Sequence, residues 1–162
     1  MMLKIADYDI VFAEVPDEVS LALNLSRCPN HCKGCHSPQL WRDIGEPLTH
    51  ERMASLIARF SSGITCVCFM GGDADTDALL DLNGFLRNHH PSLKLAWYSG
   101  KPALPADMPA EKWDYIKLGP YIPKYGPLNR RTTNQRFFRI RKEQHAKPAM
   151  EDITFRFLKE DC

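Results

Sequence analysis

Three cysteines give this sequence its clearest chemical signal. Cys28, Cys32 and Cys35 have the spacing Cys-x3-Cys-x2-Cys. Prolines, an asparagine and a glycine lie around them, and these residues interrupt both helical and strand periodicity. Segment 27–41 is therefore predicted to be a loop, which can wrap around a ligand. Thiolates are ligands for zinc and for iron–sulfur clusters, so the loop is a candidate metal site.

The number of thiols leaves two kinds of metal site open. A four-iron cluster has four corners, and three thiols with no fourth cysteine nearby would leave one iron free to bind a small molecule. The alternative is a structural zinc site in which His31 or His36 is the fourth ligand. Zinc sites usually bring their ligands in two pairs on separate elements, which favours the cluster.

The composition is that of an ordinary globular protein. With 162 residues, 44% of them hydrophobic and 25% charged, the chain is expected to form a single domain over residues 1–162. The sequence contains no run of about 18 apolar residues, so we expect no membrane-spanning helix. The first residues lack a signal-peptide core, so we expect a cytoplasmic protein without a membrane partner. In that compartment, six cysteines indicate metal binding or reactive thiols rather than disulfides.

Strand-like and helix-like segments alternate along the chain. Apolar or alternating runs predict strands at 10–15, 19–25, 64–70, 93–98, 115–118 and 153–158. Helical periodicity predicts helices at 49–63, with Thr49 as the N-cap, and at 76–90. This order predicts an α/β fold with mostly parallel strands. Because a complete eight-unit barrel needs about 200 residues, we expect an incomplete, open (β/α) barrel.

Several loops follow predicted strands and should meet at one edge of the sheet. Ligands bind at the carboxyl ends of parallel strands, where the cysteine loop, Gly71-Gly72-Asp73, Ser99-Gly100 and Gly119-Pro120 are all expected. The two glycines let the backbone approach a ligand closely, and Asp73 offers a carboxylate suited to an ammonium group. The alternative is a tight turn between a strand and a helix.

The spacing of the three cysteines resembles that of the radical S-adenosylmethionine (SAM) enzymes, and Gly71-Gly72-Asp73 is similar to their SAM-binding motif. Within them, the chain resembles the activating enzymes of glycyl radical proteins, specifically the anaerobic ribonucleoside-triphosphate reductase activating proteins. Four segments carry this resemblance: 28–41, 70–73, 95–100, and 114–121 followed by Thr132-Thr133-Asn134-Gln135-Arg136. The sequence departs from the pattern at Ala74, where proline is usual, and at Leu118, where an aspartate often precedes the glycine.

The resemblance implies a cofactor, a reaction and partners. Cys28, Cys32 and Cys35 would hold a [4Fe-4S] cluster whose open iron binds SAM. The other cofactor-binding residues are predicted to be Gly34, His36, Gly71, Gly72, Asp73, Ser99 and Lys117. Two of these have alternatives, His36 as a turn residue and Lys117 as a surface or interface lysine.

The implied reaction is reductive cleavage of SAM, followed by abstraction of hydrogen from a backbone glycine of the reductase. It requires a low-potential electron donor such as flavodoxin or ferredoxin, and no catalytic acid–base residue. Other hypotheses are a small radical SAM enzyme acting on a small molecule or nucleic acid, and a non-catalytic zinc-binding module.

Segment 121–148 is predicted to be irregular and basic. Only one acidic residue, Glu143, lies among its positive charges, which are Lys124, Arg130, Arg131, Arg136, Arg139, Arg141, Lys142 and Lys147. Such a face could contact an acidic protein surface or nucleic acid, or be a solvated loop, and the resemblance favours a protein partner. Elsewhere, Cys66 and Cys68 are interpreted as small core residues, with a second metal site or redox pair as the alternative.

Overall fold

One mixed β-sheet runs through the molecule. The computed structural model describes residues 2–35, 37–142 and 147–158. The eight strands lie in the order β3-β1-β2-β4-β5-β6-β7-β8. Their bounds are β1 Lys4–Val11, β2 Ser20–Leu25, β3 Glu46–Pro47, β4 Cys66–Met70, β5 Lys94–Tyr98, β6 Tyr115–Leu118, β7 Arg136–Arg141 and β8 Ala149–Asp152.

The predicted fold class, an open and mostly parallel (β/α) barrel, is wrong. Strands β2, β4, β5 and β6 pair in parallel, but the pairs β1–β2, β1–β3, β6–β7 and β7–β8 are antiparallel. The described residues contain only two α-helices, α1 His50–Phe60 and α2 Thr76–His89. No α-helix connects β5 to β6, where a proline-rich segment contains only the short 3-10 helix Ala110–Lys112. The predicted strand at 153–158 is also wrong, because Thr154–Phe157 forms a 3-10 helix.

Local capping residues set the starts of both α-helices. Thr49 Oγ1 accepts a hydrogen bond of 3.0 Å from Arg52 N, which confirms the predicted cap of α1. Asp75 does the same for α2, accepting from Ala78 N at 3.0 Å. Each cap satisfies a backbone N–H group that has no partner within its helix. None of the helices among the described residues combines the length and apolar character needed to cross a membrane.

The two faces of the sheet are covered differently. Alternate residues of a strand point to opposite faces, so Val67 and Phe69 of β4 pack under the helices while Cys66 and Cys68 face the other way. On the helical face Trp97 stacks on Trp113, with ring centroids 5.8 Å apart. On the other face, Phe137 of β7 is covered by loops and by the 3-10 helix Thr154–Phe157, through the side chains Val15, Leu128, Ile153 and Phe157.

The shortest strand closes the cysteine loop. After β2 the chain passes through residues 26–45 and returns to the edge of the sheet, where Glu46 and Pro47 pair with β1. Gly45 has φ +92°, and a Cβ atom there would lie 2.1 Å from the carbonyl oxygen of Ile5. Only glycine allows this approach of the two backbones. The loop is therefore tied to the sheet at both ends.

Candidate functional site

The cysteine loop is held by its own backbone at the carboxyl end of β2. Cys28 N donates to Leu40 O at 2.8 Å, and Cys35 N donates to Cys32 O at 3.0 Å. The ring of His31 stacks on Trp41, with centroids 4.7 Å apart and an interplanar angle of 14°. These contacts fold the segment back on itself, so the three thiols are brought to the same place.

All three thiols line one cavity of about 210 Å³. It lies at the carboxyl ends of the parallel strands, where such sheets bind ligands. Predicted site residues that share this cavity with the cysteines are Gly71, Asp73, Ser99 and Lys117. A second cavity of about 500 Å³ adjoins it. Both are lined by Cys35, Ser37, Met70, Tyr98, Lys117, Tyr121 and Gln135.

Gly71 and Gly72 turn the chain sharply after β4. Their φ angles are +119° and +97°, in the region that L side chains rarely adopt. Trp97 Nε1 donates to Gly71 O at 2.8 Å, which fixes the turn from the neighbouring strand. Gly72 does not line the cavity, and a Cβ atom there would lie 3.3 Å from Leu79 Cδ1 and 3.4 Å from Leu25 Cδ1. The turn thereby directs Asp73 back over the end of the sheet.

Asp73 accepts three hydrogen bonds. Its Oδ1 accepts from Ser99 Oγ at 2.6 Å. Its Oδ2 accepts from Asn30 Nδ2 at 2.7 Å and from Gly100 N at 2.9 Å. A carboxylate has about four acceptor positions, so one position on Oδ1 is left for a cationic ligand.

Lys117 is buried beside this carboxylate, with 8% of its surface exposed. Its Nζ donates to Ser99 O at 3.2 Å and to Gly119 O at 2.8 Å, and lies 5.7 Å from the centroid of the Tyr98 ring. Burial lowers the pKa of Lys117 to about 8, although the nearby Cys32 and Asp73 favour its charged form. An ammonium group has three N–H donors, so two carbonyls leave one for a ligand.

The remaining predicted residues are placed as follows. Gly34 has φ +74° and does not line the cavity; a Cβ atom there would lie 2.9 Å from Pro123 Cγ, so this glycine lets the loop pack against residues 121–123. His36 lies outside the described residues. His31, an alternative zinc ligand, does not line the cavity.

The Asn-Gln segment supports the floor of the site. Asn134 Nδ2 donates to Pro120 O at 3.0 Å, and Gln135 Nε2 donates to Gly119 O at 3.4 Å. Both side chains thus hold the turn that follows β6, and Gln135 itself lines both cavities. Its segment was used only as part of the resemblance, and Gln135 was not among the predicted site residues.

Asn30 is a further residue of the site that was not among the predicted site residues. Asn30 contributes to the cavity wall and contacts both Cys28 and Asp73. In the sequence it was only a turn-favouring residue, although a carboxamide between two candidate metal ligands is a polar group that could have been considered. Gly100 follows Ser99 directly and lines the same cavity.

The thiols of β4 are separate from this site. Cys66 and Cys68 are fully buried in the apolar cluster on the face without α-helices. Burial raises the pKa of Cys66 to about 12 and that of Cys68 well above its usual value. Cys68 Sγ lies 3.4 Å from Met70 Sδ. Both cysteines have the surroundings of neutral core residues.

Acidic residues elsewhere in the chain neutralise part of the predicted basic segment. Arg139 and Arg141 pair with Glu151, and Lys142 pairs with Asp114. A longer contact of 3.7 Å joins Arg136 to Asp152. Lys124, Arg130 and Arg131 of this segment are exposed. The positive surface is therefore smaller than the sequence suggests.

Comparison with known proteins identifies the class of the site. The family described as the 4Fe-4S single cluster domain matches residues 19–106, more than half of the chain. The chain belongs to this family and is an iron–sulfur protein. Searches of curated proteins and of solved structures found no match.

The donor set of the cavity fits a four-iron cluster. The three thiols of the loop line one space, whereas the thiols of β4 belong to the core. Among the described residues, no three His, Cys, Asp or Glu side chains are arranged to hold one metal ion. A cubane does not need such convergence, because each thiolate binds a different iron.

Proposed function

We propose that this protein is a radical SAM activating enzyme, in which Cys28, Cys32 and Cys35 hold the [4Fe-4S] cluster. The observation that carries the proposal is the shared cavity: three thiols, a carboxylate and a buried lysine line it at the carboxyl ends of parallel strands. Membership of the single-cluster family supplies the cofactor. The resemblance of segments 28–41 and 70–73 to radical SAM motifs supplies the second ligand, SAM.

The chain's own residues would bind the methionine part of SAM. Asp73 has one acceptor position left for its ammonium group, and Lys117 has one N–H left for its carboxylate. Charge-assisted hydrogen bonds of this kind are short and about twice as strong as neutral ones. The glycine turn before Asp73 brings backbone close to the ligand, and Ser99 keeps Asp73 oriented.

Held by Cys28, Cys32 and Cys35, the cluster would supply the one electron for reductive cleavage of SAM to methionine and a 5′-deoxyadenosyl radical. A low-potential donor such as flavodoxin or ferredoxin supplies that electron. The radical then takes a hydrogen atom from the Cα of a glycine in the partner, giving 5′-deoxyadenosine and a glycyl radical. The resemblance carried by segments 28–41, 70–73, 95–100, 114–121 and 132–136 favours anaerobic ribonucleoside-triphosphate reductase as the partner. The larger adjoining cavity, which shares seven lining residues with the first, is the proposed space for the substrate.

The first test is anaerobic reconstitution with iron and sulfide, followed by electron paramagnetic resonance of the reduced protein with and without SAM. We expect a four-iron signal that changes when SAM is added, together with formation of 5′-deoxyadenosine. Cys28→Ala, Cys32→Ala and Cys35→Ala should each abolish cleavage. Cys66→Ala is the matched control, because it removes a thiol outside the cavity. Retained cleavage in any of the three loop variants would refute the ligand assignment.

The second test concerns the partner. The reduced protein, SAM and anaerobic ribonucleoside-triphosphate reductase are mixed, and the glycyl radical is sought by electron paramagnetic resonance. A radical that depends on all three components supports the activase function. SAM cleavage without a glycyl radical would instead favour a small molecule or nucleic acid as substrate. A preparation that binds zinc and no cluster would refute the enzyme altogether.

A further inference from the structure

One side chain joins the cysteine loop to the carboxylate of the glycine turn. Asn30 Nδ2 lies 2.7 Å from Asp73 Oδ2 and 3.6 Å from Cys28 Sγ. The first partner is 43 residues further along the chain, on a different strand end. Both contacts lie in the wall of the same cavity.

The chemistry of a carboxamide suits this position. Its nitrogen carries two hydrogens, so one atom can donate to the carboxylate and to the sulfur at the same time. An aspartate could donate to neither when ionised, and a leucine of similar size has no donor.

Gly100 makes room for this side chain. A Cβ atom at position 100 would lie 2.5 Å from Asn30 Nδ2 and 2.8 Å from its Cγ. Gly100 does not have a positive φ, so its backbone conformation does not require glycine. A larger residue is disfavoured there because its side chain would collide with Asn30. The end of a side chain moves more easily than backbone, so an alanine at position 100 would push Asn30 away from its partners.

We propose that Asn30 is a positioning residue: its carboxamide holds the Cys28 thiol and the Asp73 carboxylate in fixed positions relative to each other. Gly100 leaves the space that this carboxamide occupies. This inference rests on the proposed function, because it takes Cys28 as a cluster ligand and Asp73 as a SAM ligand. A hydrogen bond to a cluster sulfur stabilises the reduced, more negative state and raises the reduction potential. A hydrogen bond to Asp73 keeps its free acceptor position turned toward the cavity.

The test compares four single variants of the reconstituted protein. We expect Asn30→Leu and Gly100→Ala to make the midpoint potential of the cluster more negative, measured by anaerobic spectroelectrochemistry. The matched controls are Asn88→Leu, at an exposed position of α2, and Gly84→Ala, where an added Cβ meets no atom within 4 Å. Neither control should change the potential. If Asn30→Leu fails to retain a cluster, the midpoint potential of Gly100→Ala tests the proposal, because this variant keeps the asparagine.

Binding of SAM gives a second measurement. Its dissociation constant should rise about tenfold in Asn30→Leu and in Gly100→Ala, the effect of losing one hydrogen bond to a charged group. The double variant should be no weaker than Asn30→Leu alone, because both changes act through one contact. Unchanged potentials, unchanged SAM affinity or additive effects in the double variant would each overturn the proposal. A wild-type protein that binds no SAM would refute the proposed function, while the potentials would still decide whether Asn30 positions Cys28.

Discussion

Replacing Asp114 by asparagine should lower the free energy of unfolding by about 2 kcal/mol. Asp114 begins the turn into β6 and has 16% of its side chain exposed. Its Oδ2 accepts from Leu95 N at 2.8 Å and from Arg87 Nη2 at 2.9 Å, so one carboxylate joins β5 to α2. Its Oδ1 lies 3.4 Å from Lys142 Nζ, beyond the end of β7.

The magnitude follows from these contacts. Hydrogen bonds to charged groups contribute about 1.5–3 kcal/mol each. Asparagine keeps one acceptor for Leu95 N but loses the charge that Arg87 pairs with, which gives the figure of about 2 kcal/mol. Alanine removes every acceptor and should cost about 3 kcal/mol, because buried donors are then left without partners.

The effect of Asp114→Asn should depend on pH. Burial alone would raise the pKa of Asp114, but the Leu95 N–H and the charge of Arg87 outweigh it, and the net pKa is lowered. A lowered pKa stabilises the folded state above the unfolded pKa of about 3.9, and this stability is lost as pH falls through the folded value. The difference between wild type and Asp114→Asn should therefore be full at pH 7 and shrink below about pH 4.

Urea unfolding followed by circular dichroism measures this difference. The cluster-free chain is used, because acid dissolves iron–sulfur clusters. Asp107→Asn is the matched control, at an exposed aspartate in the same connection between β5 and β6. The reasoning would be refuted if Asp114→Asn had the same free energy of unfolding as wild type at pH 7. It would also be refuted if the difference in free energy of unfolding were the same at pH 3 as at pH 7.

Two further predictions concern buried side chains. Trp97→Phe removes the hydrogen bond to Gly71 O and should reduce both stability, by about 2 kcal/mol, and SAM affinity. Trp113 Nε1 contacts a methionine sulfur at 3.3 Å, so the control Trp113→Phe should leave SAM affinity unchanged. Equal losses of SAM affinity in the two variants would contradict the role given to the Gly71-Gly72 turn. In the folded cluster-free protein, iodoacetamide should not modify Cys66 and Cys68, because they are buried and burial raises the pKa of both thiols. Mass spectrometry would contradict this if either thiol reacted as fast as those of the loop.

Local signals in the sequence predicted both α-helices and the four parallel strands β2, β4, β5 and β6, but not the outer strands or the arrangement of the sheet. The helix that Thr49 caps and the buried strand before Gly71 were found because caps, apolar periodicity and glycines act over a few residues. The antiparallel pairs β1–β3, β6–β7 and β7–β8 were missed because β3, β7 and β8 were not recognised as strands. Strand β7 was hidden within a charged segment, and its arginines find Glu151 only when β8 pairs beside it.

The sequence predicted the residues at the strand ends of the site, but not the contacts made by the folded cysteine loop. Asp73 and Ser99 were expected at neighbouring strand ends, and the structure brings them to 2.6 Å of each other. Asn30 was not expected, because its partner lies 43 residues away and its role appears only when the loop is folded over the sheet. Gly100 was expected beside Ser99 at a strand end, but its contact with Asn30 was not, because that contact also forms only in the folded loop.

The two-residue strand β3 links the cofactor to the edge of the sheet. Residues 26–45 are closed by their own backbone hydrogen bonds and by the pairing of Glu46 and Pro47 with β1, so ordering the loop and forming that edge are coupled events. A cofactor that binds the ordered loop must then also stabilise the β1–β3 pairing. By linkage, the pairing strengthens cofactor binding by the same free energy. Retention of iron and hydrogen exchange at Leu48 N, which donates to Leu3 O at 2.8 Å beside this edge, are thus two measures of one equilibrium.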